Sequence, residues 1–169
     1  PRWTNQSKIG KGAYEFNGTT NYIEIPAYTA LENATISVWV NSSLAYGNQI
    51  IIGSDRSIAL GINGTTLIGT AATSMPIGSL GSCFVNNKWN HLAVVIENSQ
   101  INYYCNGEKL INSSSNNWSW VTSSYGHIGR RTPLSLGSPN FFKGFLDDIK
   151  IYNRALSESE IKLNYELNK

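Results

Sequence analysis

Apolar residues recur at every second position of this chain, in short runs broken by polar turns, and this pattern constrains the fold more than any other feature. Ile36, Val38 and Val40 alternate with Thr35, Ser37 and Trp39, which predicts a central strand with one core face. Tyr14 and Phe16 precede an Asn17-Gly18 turn signal, with Ile23 and Ile25 beyond it. Asn-Gly between two such runs predicts a hairpin. Runs at 49–53, 57–62 and 65–70, punctuated by Asp55-Arg56 and Asn63-Gly64, predict an antiparallel meander. Residues 89–97 and 99–107 predict a second hairpin, and Asn106-Gly107 turns the chain into 108–111. The Gly/Ser/Pro segment 74–81 reads as a loop before residues 89–97, and a further strand begins at Tyr125 ahead of a Pro/Gly/Ser loop at 132–140. A helical signal comes only late, where Ser157-Glu-Ser-Glu160 forms a capping box opening a short helix through about Leu167. About a dozen short strands with one late helix predict an all-β sandwich.

The stretch 142–157 carries the sharpest local problem. On strict alternation Phe145, Asp147, Ile149 and Ile151 share one face. A carboxylate on an apolar face is costly unless a metal, an arginine or backbone N–H groups compensate it. Asp147 therefore needs a partner, and the sequence leaves open which.

With 169 residues and 41% hydrophobic content, the chain supplies one core, and residues 1–169 are expected to form a single domain. Charged residues are only 14%, replaced by Asn, Ser, Thr and Gly in the manner of secreted β proteins. Thirteen basic against eleven acidic residues, with no basic run beyond Arg130-Arg131, argue against nucleic acid or an anionic membrane as partner. No apolar run is long enough to insert directly into a membrane. Pro1-Arg-Trp does not begin like a secretory signal, so the chain is expected to be a piece of a larger protein whose other domains are its partners. Sequons begin at Asn5, Asn17, Asn33, Asn41, Asn63, Asn112 and Asn117, and such matches also arise by chance in a chain this rich in Asn, Ser and Thr. Cys83 and Cys105 are expected to form a disulfide in an extracellular setting, the alternative being two buried free thiols.

Chemistry is sparsely signalled. His91 and His127 lack a zinc-ligand pattern, and no strand–elbow–helix context surrounds a Ser or Cys nucleophile. The segment 112–120 holds Trp118 and Trp120 among residues that cannot build a core. Loop aromatics of this kind can form a flat platform for the apolar face of a sugar, with amides and hydroxyls orienting it. The candidate ligand-binding set is Trp118, Trp120 and Asn117, helped by Tyr125 and by Phe141 and Phe142. The alternative is that these rings fold back over the sandwich edge. Arg130-Arg131 could pair with an acidic sugar or brace Asp147 or Asp148, the structural role being favoured.

Read together and in order, residues 12–18, 22–26, Thr35-Ile-Ser-Val-Trp39, Trp89-Asn-His-Leu-Ala93, Asn106-Gly107, Ile128-Gly-Arg-Arg131 and 144–157 resemble the laminin-G-like jellyroll domain of the concanavalin A-like lectin/glucanase superfamily. The resemblance implies a jelly roll of two packed antiparallel sheets with first and last strands adjacent. It also implies a carbohydrate-binding or adhesion module, secreted or displayed on a cell or virion surface, whose partner is a glycan or glycoconjugate. A structural or protein–protein adhesion module without a sugar site is the alternative. The related glucanases carry a Glu-X-Asp-X-Glu cluster that is absent here, so the chain is expected not to be an enzyme. Superfamily members commonly hold a structural Ca²⁺ between the two chain ends, which implies a site built from Asn17, Gly18 and Asp147. Arginine or backbone N–H groups at Asp147 remain the alternative.

Overall fold

The computed structural model describes residues 1–26, 33–42, 48–54, 59–64, 66–71, 73–98, 100–110, 126–130 and 140–169. Among them run the strands β1 (Arg2–Thr4), β2 (Ala13–Asn17), β3 (Ile23–Ile25), β4 (Ala34–Asn41), β5 (Asn48–Ser54), β6 (Ala59–Asn63), β7 (Thr66–Ala71), β8 (Thr73–Ser79), β9 (Trp89–Glu97), β10 (Gln100–Cys105), β11 (Glu108–Lys109), β12 (Gly126–Ile128) and β13 (Lys143–Tyr152), then the helix α1 (Glu158–Glu166). Two antiparallel sheets result, one ordered β1-β2-β13-β4-β9-β10-β11 and the other β3-β12-β5-β6-β7-β8. This is the expected jelly-roll sandwich, with the late strand β13 paired between β2 and β4.

The core follows from alternation. β4 and β9 pair along their whole length, from Ala34 opposite Ile96 to Asn41 opposite Trp89. Ile36, Val38 and Val40 of β4 and Leu92, Val94 and Ile96 of β9 face inward, where they meet Ile52, Leu60, Ile62 and Leu67 of the second sheet. The other face of β4 is buried as well, because α1 and the residues before it cover Thr35, Ser37 and Trp39. A smaller apolar cluster of Ala93, Val95, Tyr104, Leu156 and Ile161 seals that contact. Trp39 stacks on Tyr165 at 5.8 Å, and Lys8 Nζ sits 4.7 Å from its ring centroid. The capping box forms as expected: Glu160 N–H donates to Ser157 Oγ at 3.3 Å, and Ser157 N–H donates to Glu160 Oε2 at 2.9 Å.

The β5–β6–β7 meander and the β9–β10 hairpin also form as expected. Three expectations are corrected. The Asn17-Gly18 turn does not join a hairpin: β2 lies in one sheet and β3 in the other, so the turn carries the chain across the sandwich. Residues 73–79, read as part of a loop, form β8 at a sheet edge, where Pro76 with its missing N–H can be accommodated. Finally, β13 does not alternate strictly. Asp147 lies opposite Trp39 and Lys150 opposite Ser37, so Asp148 and Ile149 together face Val38, with Asp148 at φ +47°. This bulge moves Asp147 to the helix side while Ile149 packs against the main core.

The cysteines form the expected disulfide, Cys83 to Cys105, with Cα atoms 6.1 Å apart. It ties the turn after Leu80 to the end of β10.

Candidate functional site

α1 and the N-terminal segment cover only part of the seven-stranded sheet. Register brings Arg2, Glu15, Phe145, Asn41 and Trp89 side by side across β1, β2, β13, β4 and β9. This row lies on the helix-side face, since Asn41 and Trp89 are two residues from Trp39 and His91, but the helix does not reach it. An open groove of about 380 Å³ forms there, lined by Glu15, Asn17, Asn41, Asn87, Lys143 and Phe145, among others. The rings of Phe145 and Trp89 tilt towards each other at 6.5 Å and are each half-buried.

Local backbone chemistry shapes this groove. Gly144 has φ +139°, and a Cβ there would collide with the Asn41 carbonyl, so only glycine lets β13 close on β4 at this point. Ser42 Oγ donates to the Lys143 carbonyl at 2.8 Å, and Lys143 N–H donates to Gln49 Oε1 at 3.0 Å. Asn87, at φ +57°, donates its N–H to the Ser42 carbonyl at 3.1 Å. Asn17 Oδ1 accepts the N–H groups of Thr19, Thr20 and Asn21 at 3.0, 3.0 and 3.1 Å. Arg2 grips Glu15 through Nη2 at 2.6 Å. The floor is fixed by these bonds, while among the described residues none engages the side chain of half-buried Asn41 or those of exposed Asn87 and Lys143.

The sequence-derived candidates fare differently. Asn117, Trp118, Trp120 and Tyr125 lie outside the described residues. Phe141 is half-buried. Phe142 is corrected: it is fully buried, edge-to-face with Phe16 at 5.9 Å, and belongs to the core rather than to a ligand surface. Trp89 and Phe145 escaped sequence reading because strand aromatics default to packing. The available signal was phase, since Phe145 falls in step with Lys143 and Asp147, on the polar side of its strand.

The residues proposed for calcium do not fit a shared ion. Asp147 Oδ2 accepts the N–H groups of Lys8 and Ile9, both at 2.8 Å, and Oδ1 accepts that of Asp148 at 2.8 Å. Backbone N–H groups, one of the alternatives left open, thus compensate the carboxylate and pin the N-terminal segment to the sheet. Asn17 pairs with Lys143, four residues away along β13, or roughly 13 Å at the usual strand rise. Its oxygen, too, is ringed by N–H donors, whose positive ends would repel a cation. Nor does arginine brace these acids among the described contacts. Arg130 lies 3.6 Å over the Tyr22 ring and its Nη2 is 3.0 Å from His127 Nε2, while Asp148 pairs with Lys150 at 2.5 Å.

Among the described residues one serine–histidine contact is present, Ser37 Oγ to His91 Nε2 at 2.7 Å. Both are buried beneath Trp39 and Tyr165, out of reach of any substrate. Burial, reinforced by the Lys150 ammonium, holds His91 down to about 4, so the imidazole is neutral at physiological pH. It is a packing histidine.

Comparison with known proteins places this architecture. The chain is 24% identical, over 89% of its length, to the adhesion G-protein coupled receptor V1 of Danio rerio, of which it spans 3%. Domain 4 of AbnA, a GH43 extracellular arabinanase from Geobacillus stearothermophilus solved in complex with arabinotriose, superposes with a TM-score of 0.74 at 21% identity, covering 99% of this chain and 80% of that one. The binding domain of botulinum neurotoxin serotype G superposes with a TM-score of 0.68 at 18% identity, covering 98% of this chain and 44% of the other. Residues 17–162 match a family of the concanavalin A-like lectin/glucanases superfamily, to which the chain therefore belongs.

Proposed function

We propose that this domain is a non-catalytic, extracellular carbohydrate-binding module that serves adhesion or targeting within a larger protein. The observation that carries this reading is the end of the seven-stranded sheet beyond α1, where among the described residues aromatic rings stand beside amide groups that no hydrogen bond engages. Aromatic faces with nearby amides suit sugars, which present C–H faces and hydroxyls that both donate and accept. The arabinotriose bound in the AbnA domain 4 structure supports a sugar as the class of ligand. The disulfide supports an oxidising compartment, and no helix among the described residues is long and apolar enough to cross a membrane.

The non-catalytic part rests on the acids. Glycoside hydrolysis needs two carboxyl groups about 5–10 Å apart across the scissile bond. Among the described residues Glu15 is the one carboxylate lining the groove, and it is engaged by Arg2. The loop tryptophans Trp118 and Trp120, with Asn117 and Tyr125, are proposed as a platform of the same chemistry.

A glycan array probed with the whole domain tests the function. Reproducible binding to one sugar class is expected, with affinity on the order of micromolar to millimolar for a single shallow site. Trp118→Ala with Trp120→Ala should remove the loop contribution without unfolding the domain. An array with no signal above a denatured control would overturn the carbohydrate reading and favour a purely structural or protein-binding module.

A further inference from the structure

Building on the carbohydrate reading, we propose that the groove lined by Phe145, Asn41 and Lys143, with the Trp89 ring beside Phe145, is itself a binding site for one ring of a neutral oligosaccharide, built from residues other than those of the tryptophan-bearing segment. Farther along this face Ala93, Val95 and Tyr104 lie beneath α1, all at most 3% exposed. Phe145 and Trp89 are only half-buried and keep ring surface open beyond the helix. Two tilted aromatic rings with an asparagine between them in the register offer an apolar surface interrupted by hydrogen-bonding groups, which matches the alternation of C–H and O–H on a sugar.

The polar groups are unspent. No hydrogen bond or ion pair engages the side chains of Asn41, Asn87 or Lys143 among the described residues, although all three line the groove. An amide both donates and accepts and an ammonium donates, so this set can serve hydroxyls in either role. The charges decide between neutral and acidic sugars. Lys143 contributes one positive charge to the lining, while Glu15 is already paired with Arg2, so no guanidinium of this row is left free among the described residues to grip a sugar carboxylate in bidentate fashion. A neutral ring needs no such partner. The hydrogen bonds that fix Ser42, Lys143, Asn87 and the Asn17 turn hold the floor before a ligand arrives, which lowers the ordering cost of binding.

The test titrates the whole domain with arabinotriose, xylotriose and cellotriose, and with trigalacturonate as the acidic comparator, following the Trp89 indole N–H by NMR and affinity by calorimetry. At least one neutral trisaccharide is expected to bind and to shift the Trp89 indole signal. Phe145→Ala should weaken it about tenfold. Lys143→Ala, an exposed change that leaves the fold intact, should weaken it about threefold, while Trp118→Ala with Trp120→Ala should leave the Trp89 shift in place. If Phe145→Ala fails to fold, Lys143→Ala and the indole signal decide. Wild-type binding with neither an indole shift nor any effect of Phe145→Ala or Lys143→Ala would overturn this site and leave the carbohydrate function standing. Binding of trigalacturonate alone would overturn the neutral assignment. Absence of any binding in both titration and array would remove the function and the site together.

Discussion

Lowering the pH from 7.5 to 5 should destabilise this domain by about 2 kcal/mol through one residue, His91. Its folded pKa is about 4, against the ordinary value of 6.5 expected once the chain unfolds. Between those values the unfolded chain binds a proton that the folded chain refuses. Stability is therefore complete above about pH 6.5, declines as the pH falls, and levels off below about pH 4 after a total loss of roughly 3 kcal/mol. The structural cause is burial, followed by the Lys150 ammonium. His91 Nδ1 is buried without a partner, so an imidazolium would hold a second N–H with no acceptor to receive it. Urea unfolding at the two pH values, followed by tryptophan fluorescence, measures the loss. Glu160, held down to about 2 by Arg154, adds its own acid loss only below about pH 4.5, outside this window. His91→Gln should remove most of the difference whatever its stability at pH 7.5. A wild-type loss under about 0.5 kcal/mol, or an undiminished loss in His91→Gln, would refute the reasoning.

Reducing the Cys83–Cys105 bond, which closes a span of 22 residues, should cost about 3 kcal/mol in denaturant unfolding; thiol titration of the unfolded, unreduced protein should find no free thiol. Phe142→Ala should cost roughly 3–5 kcal/mol, because the ring is wholly buried against Phe16. A ligand-platform residue would instead lose binding at unchanged stability. Chelator treatment should leave the melting temperature unchanged, since N–H groups occupy the oxygens of Asp147 and Asn17; a drop of several degrees reversed by calcium would contradict this.

Fold class was legible in the sequence because period-two patterning is a direct consequence of strand geometry, which β4 and β9 obey residue by residue, while a capping box marked the one late helix. What the pattern could not convey was pairing. Asn17-Gly18 specifies a tight turn in either a hairpin or a sheet-to-sheet crossing, and only the packing of Phe16 and Ile23 into a shared core distinguishes them. The bulge at Asp148 was hidden for a related reason: an extra residue shifts phase without changing composition, so Asp147 read as facing the core when it faces the helix. Its need for compensation was nevertheless readable, since a carboxylate on an apolar face calls for a metal, an arginine or backbone N–H groups. The groove was missed because Phe145 and Trp89 come from strands 56 residues apart and meet only through the register of β4, as Asn41 lies opposite both.

The position of β13 sets the order in which this domain can be completed. Residues 143–152 sit between β2 and β4, with two neighbours whose own residues begin at 13 and 34. Until that segment leaves the ribosome, β2 has no partner on that side and β4 presents an open edge of backbone N–H and C=O groups, inviting pairing with another nascent chain. Closing the sheet then requires contacts spanning more than a hundred residues, which slows folding and prolongs that exposure. Expression yield should accordingly respond to temperature and translation rate, and fragments ending before residue 143 should aggregate rather than populate a smaller sandwich.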